Sequence, residues 1–128
     1  MPSSKQQVKK SKPDVTLLRL VFRATDRAIF DYAASGEKSV ETRAATAKYR
    51  ALKKGDICIL VCGKNKVEKK IKNVRTFKSI TALFKVYSIK KVMPWVKTEK
   101  EAQQVYYSFP GYKEKIKHVG LVAFEFLA

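Results

Sequence analysis

Gly120-Leu121-Val122-Ala123-Phe124-Glu125-Phe126 decides the fold. Apolar side chains occupy both parities of this short run, so both of its faces must be covered. A strand of this kind lies in the middle of a sheet or in the wall of a barrel. Working outward from it, residues 57–62 (Ile57-Cys58-Ile59-Leu60-Val61-Cys62) form a second buried strand, entered through the turn Lys53-Lys54-Gly55-Asp56. Residues 15–24 alternate, with Leu18, Leu20 and Phe22 on one face and Arg19 and Arg23 on the other, the pattern of a half-buried strand. A short strand is expected over 39–43. Another follows the turn Gly63-Lys64-Asn65 over 66–74, where Val67, Lys69, Ile71 and Asn73 alternate with Glu68, Lys70, Lys72 and Val74.

Three short helices are expected between these strands. Thr25-Asp26 opens one that ends at Gly36. Residues 79–84 form the next, with a further turn over 88–92 before Pro94. The third begins at Thr98-Glu99-Lys100-Glu101, a capping box, places Ala102, Val105 and Phe109 on one face, and stops at Pro110-Gly111. The expected architecture is α+β, a small curved sheet or β-barrel of five or six strands with short flanking helices. Residues 1–14 read as a flexible basic arm and 15–128 as the folded domain.

The chain has 128 residues, with 28 Lys and Arg against 11 acidic residues, a net charge of +17. The arm accounts for +3, from Lys5, Lys9, Lys10, Lys12 and Asp14, so the body is itself basic. Such a surplus attracts a polyanion. No apolar run approaches the roughly 20 residues of a membrane span, and Met1-Pro2-Ser3-Ser4-Lys5 lacks the apolar stretch expected of a secretory signal. Cys58 and Cys62, four strand steps apart, have Cα atoms roughly 13 Å from each other, beyond disulfide reach. With His118 as the only histidine, no zinc set is expected, nor any other metal or cofactor. Free thiols point to an intracellular location, cytoplasmic or nuclear, and a monomer is expected.

Several landmarks then occur in order. Gly36-Glu37-Lys38-Ser39-Val40-Glu41-Thr42-Arg43 resembles the G-x-K-x-x-E-x-R motif of ASCH domains, within the PUA-like superfamily. Leu52-Lys53-Lys54-Gly55-Asp56 resembles the family's L-K-x-G-D turn, Arg75-Thr76-Phe77 its aromatic stretch, and Val92-Met93-Pro94 its V-x-P element. Tyr106-Tyr107-Ser108-Phe109-Pro110-Gly111 is similar to its aromatic helix end, and Gly120-Leu121-Val122-Ala123-Phe124 to its closing strand. The resemblance spans about residues 17–126. It implies a PUA-like small β-barrel with a cleft, RNA binding, and in some members hydrolysis of RNA or of an acylated cytidine.

The residues of the motif carry more than one reading. Lys38 suits a phosphate contact by charge alone, a general base if its pKa falls by several units, or an ordinary surface cation. Glu41, Arg43 and Ser39 share parity, either as an ion pair bracing the cleft wall or as a phosphate clamp. Resemblance to ribonuclease members implies a metal-independent catalytic set of Tyr32, Lys38 and Ser108; a core tyrosine and a helix-end hydroxyl are the plainer alternatives. The amidohydrolase set is incomplete, because Glu41 stands where a hydroxyl belongs.

Between residues 64 and 78, Lys64, Lys66, Lys69, Lys70, Lys72, Arg75 and Lys78 face only Glu68. Lys48, Tyr49 and Arg50 precede the central strand, and Trp95 lies between Lys91 and Lys97. Cations beside aromatic rings suit unpaired bases and phosphates. The expected function is nucleic-acid binding, RNA before DNA and single-stranded or structured, along a basic cleft floored by Lys38, Glu41 and Arg43. The alternatives are the ribonuclease and a basic module for acidic protein partners.

Overall fold

The computed structural model describes residues 15–128; the arm over 1–14 lies outside the described residues. Five strands form one curled sheet: β1 (Leu17–Val21), β2 (Val40–Ala44), β3 (Ile57–Cys62), β4 (Asn65–Phe77) and β5 (Leu121–Phe126), in the order β1-β3-β4-β5-β2. β1 runs parallel to β3, and every other pair is antiparallel. Six helices flank it: α1 (Arg27–Ser35), α2 (Ala47–Arg50), α3 (Ile80–Phe84), α4 (Ile89–Val92), α5 (Glu99–Ser108) and α6 (Tyr112–Val119).

β5 does what its doubly apolar sequence requires. It pairs with β4 on one side and β2 on the other. Val122, Phe124 and Phe126 point into a core inside the curl, with Leu20, Phe22, Phe30, Cys58, Leu60 and Ile71. Leu121 and Ala123 point outward into a second core, where Leu83, Val92, Ala102, Tyr106 and Ile116 cover the sheet. Each large side chain sealed in this way contributes about 1.5–3 kcal/mol.

The local signals hold where one side chain sets the geometry. Thr98 accepts from the Glu101 amide and Glu101 reaches back to the Thr98 amide, so the capping box is present. Gly36 closes α1 at φ 89°. Cys58 and Cys62 are buried free thiols, and burial pushes Cys58 up to about 12.

Four expectations change. Asp26 does not cap α1, because its carboxylate accepts from Arg23 Nε at 2.9 Å, and a 3₁₀ turn over Ala24–Asp26 precedes the helix. The 48–50 segment is the helix α2 and residues 112–119 form α6, so there are twice the three helices expected. β1 ends at Val21, where the chain bends into that turn. β4 is longer than 66–74, and its register against β5 shifts between Ile71 and Asn73. That bulge reverses the alternation, so Val74 turns inward against the core instead of outward with Glu68 and Lys70.

Candidate functional site

The stretch after α1 places charge in the interior. Lys38 is only 3% exposed, and its ammonium donates to the carbonyls of Val40 at 2.8 Å and Val92 at 2.7 Å. Its Nζ lies 3.6 Å from Glu41 Oε1. Glu41 is 4% exposed; Oε2 accepts from Arg43 Nε at 3.1 Å, while Oε1 is buried without a hydrogen-bond partner. Burial pushes Lys38 below the ordinary lysine value; the Glu41 carboxylate opposes this, and Arg43 adds to it. Burial also works against the charge of Arg43, but Glu41 together with the Tyr112 and Tyr49 phenols outweighs it and holds the guanidinium above its ordinary value.

Arg43 is the member of this trio that reaches the surface. Its guanidinium lies over the rings of Phe22 at 5.6 Å and Tyr49 at 5.9 Å. Contact with both rings and the Nε bond to Glu41 hold it in place, leaving the outer nitrogens as donors for a ligand. Beside it the Thr42 hydroxyl is hydrogen-bonded to the buried Tyr106 phenol, which burial pushes up. The Ala44 amide donates to the Tyr112 hydroxyl at 3.4 Å.

Glu41, Thr42 and Arg43 floor a cleft of about 310 Å³. One wall is Phe22, Arg23, Asp26 and Ile29, and the other is Phe109, Pro110 and Tyr112. The cleft is therefore charge-balanced rather than basic: Arg23 is paired with Asp26 at 2.9 Å, and Arg43 with Glu41. It offers aromatic walls, a fixed guanidinium and polar edges, the make-up of a site for one planar, hydrogen-bonding group.

The expected residues divide. Parity correctly brought Glu41 and Arg43 together. Lys38 and Ser39 are not on the cleft floor but line a separate hollow with Gly36, Lys69 and Lys72. Lys38 is not an exposed cation, because its ammonium is tethered inside. The set Tyr32, Lys38 and Ser108 is not assembled. The Tyr32 ring stacks on Trp95, with centroids 5.5 Å apart, and only its backbone carbonyl meets the Lys38 amide. The Ser108 hydroxyl donates to the Val105 carbonyl of its own helix at 2.6 Å.

Lys48, Tyr49 and Arg50, the cations of β4, and Trp95 are absent from the cleft lining. Lys48 sits over the Tyr49 ring, whose other neighbour is Arg43, so this pair borders the site. Lys64, Lys66, Lys70, Arg75 and Lys78 are exposed and make no ion pair among the described residues. Lys69 donates to the Ala34 carbonyl near the end of α1, and Lys72 lies 3.7 Å from Glu125. The positive surface and the cleft are thus two separate features.

Sequence reasoning missed Phe22, Arg23, Asp26, Ile29, Thr42, Phe109, Pro110 and Tyr112 as cleft residues. The Arg23–Asp26 spacing across a turn and the aromatic run ending in Phe109-Pro110 were the available signals. Strict alternation hides Thr42, because it assigns that residue to the opposite face from Glu41 and Arg43.

No protein-family model matches the chain, and no curated protein matches it. The chain is similar to the crystal structure of hypothetical protein PH0355, with 29% sequence identity, a TM-score of 0.75, and coverage of 87% of this chain and 97% of that one. It is also similar to the solution NMR structure of protein PF0455 from Pyrococcus furiosus, at 26% identity and TM-score 0.69, covering 87% of this chain and 96% of that one. The class is a PUA-like small β-barrel, here a curled five-stranded sheet with six short flanking helices. No helix among the described residues is long and apolar enough to cross a membrane.

Proposed function

We propose that this chain is an ASCH-like RNA-binding domain that divides the work between two surfaces. The exposed cations of β4 and its flanking turns hold the phosphates of a single strand, and the cleft over Glu41–Arg43 receives one unstacked base. The supporting observation is the run Lys64, Lys66, Lys70, Arg75 and Lys78, exposed and without a carboxylate partner on a strand whose only acidic side chain is Glu68. A solvated strand face in an ordinary protein mixes signs; this one is left for an external anion. RNA is favoured because unpaired bases can stack on the Phe22, Phe109 and Tyr112 walls while the Arg43 fork bonds a base edge.

The test is fluorescence anisotropy of a labelled single-stranded RNA over a salt series. About five neutralised phosphates give a slope of about −3.5 in log K against log salt, a roughly 100-fold loss between 50 and 200 mM. An affinity that hardly moves over that range removes the electrostatic reading. Arg43→Ala is expected to weaken binding without changing the slope by more than about 0.7, because its ligand is a base and not the phosphate backbone.

A further inference from the structure

We infer that the hollow where β4 ends against α6 is a phosphate-binding site, distinct from the cleft. As a site for RNA phosphates, this rests on the RNA-binding reading above. Arg50 from the end of α2, Thr76 from the end of β4 and Lys78 just beyond it, and Lys117 and His118 from the last turn of α6 surround an open hollow of about 550 Å³. It shares no lining residue with the cleft.

The geometry is enforced by the backbone. At Gly120 φ is 76°, and a Cβ there would lie 2.2 Å from the Phe77 carbonyl oxygen. Only glycine lets the end of α6 approach β4 this closely, and that approach puts Lys117 and Lys78 on the lining of one hollow. Phe77 is itself fixed by an edge-on contact with Tyr87, at 6.1 Å between centroids.

The charge is uncompensated. No Asp or Glu lines the hollow, and Arg50, Lys78 and Lys117 make no ion pair among the described residues. His118 alone has a carboxylate nearby, Glu114 at 3.7 Å on its own helix. The carbonyl ends of α2 and α6 favour Arg50 and Lys117 individually, but Lys78 belongs to neither helix and still faces the same space. An anion relieves the repulsion among the three. A guanidinium fork, two ammonium groups and the Thr76 hydroxyl together match the tetrahedral oxygens of a phosphate.

Lys78 also ends the cation run of β4. From Lys66 to Lys78 the strand extends about 40 Å at roughly 3.3 Å per residue, so a strand of RNA laid along it arrives at the hollow. The phosphate is either an internal phosphodiester or a terminal monophosphate, which share the chemistry.

Amide NMR of the full chain, titrated with inorganic phosphate, tests the site itself. Shifts concentrated at Thr76, Lys78, Lys117 and Gly120 support it; no shift there, or equal shifts at every lysine-bearing surface, overturns it. Anisotropy with RNA oligomers carrying or lacking a 5′-phosphate then compares K78E/K117E with the charge-matched control K85E/K100E. The hollow variant is expected to lose about 10-fold more affinity than the control and to lower the salt slope by about 0.7 per phosphate lost. A terminal site loses that difference with the unphosphorylated oligomer, and an internal site keeps it. Equal losses in the two variants overturn the hollow as an RNA contact while leaving RNA binding by β4 intact. Wild-type protein that binds no RNA refutes the RNA reading, and the phosphate titration still decides the hollow.

Discussion

Replacing Glu41 by glutamine keeps its shape and one hydrogen bond to Arg43 while deleting the charge that offsets Lys38. At 3.6 Å and an effective dielectric of about 20, the attraction removed is about 5 kcal/mol. Stranding one member of a buried pair generally costs about 3–5 kcal/mol. The lower figure is expected here, because the variant can shed the Lys38 proton. In a domain of this size about 3 kcal/mol lowers Tm by about 12 °C. The pH dependence gives the sharper check. Burial holds the folded-state pKa of Lys38 below its unfolded value, so between the two the unfolded chain binds more protons and stability rises with pH. Deleting Glu41 lowers the folded value further. The gap between wild type and E41Q is therefore full below the lower of their two folded-state values and narrows as pH climbs through the interval between them. Urea denaturation from about pH 6 to about pH 9.5 measures this, and K38M/E41Q closes the cycle with an expected coupling of about 3 kcal/mol. A loss under about 1 kcal/mol, or a gap that stays constant with pH, refutes the burial of a charged Lys38.

Two further outcomes test the frame around the site. Asp56 is fully buried; burial pushes its carboxyl up, but donation from the Thr16 and Lys53 amides and the Lys53 ammonium outweighs this and holds it below the usual range. Its contribution is present above the ordinary aspartate value near 3.9 and is lost as pH falls through the lower folded value. D56N should be less stable than wild type by about 2 kcal/mol at neutral pH and converge with it in acid unfolding followed by circular dichroism. G120A sets a Cβ against the Phe77 carbonyl in a left-handed conformation, and a loss of at least about 2 kcal/mol in thermal unfolding is expected; a neutral result contradicts the close approach of α6 and β4.

What the sequence disclosed follows from the range of the interactions involved. β5 and the capping box at Thr98 were legible because a run of seven residues, or one hydroxyl and one carboxylate three positions apart, contains the whole cause. The bulge at Lys72 was not, since one inserted residue reverses every later parity and leaves no mark in composition. Lys38 was misread for a related reason. A lysine is almost never fully buried, and what keeps this one inside is the Val92 carbonyl, 54 positions away. The cleft walls come from 21–29 and 109–112, segments joined only by folding.

The expectation of one basic cleft failed because net charge carries no information about location. A surplus of +17 fixes that anions are attracted and leaves open where they settle. Folding sorts the cations by what faces them. Arg23 and Arg43 are paired with Asp26 and Glu41 at the cleft and Lys72 with Glu125, so a carboxylate within the molecule offsets each, while Lys69 is tied to a helix-end carbonyl. Lys64, Lys66, Lys70, Arg75 and Lys78 have no such partner. In the proposed RNA complex their charge would therefore supply affinity without selecting a base, whereas the paired arginine of the cleft, in contact with the rings of Phe22 and Tyr49, would supply selectivity and add little net field. A molecule that separates the two in this way should respond to salt through β4 and to base identity through Arg43, and the two responses should be removable one at a time.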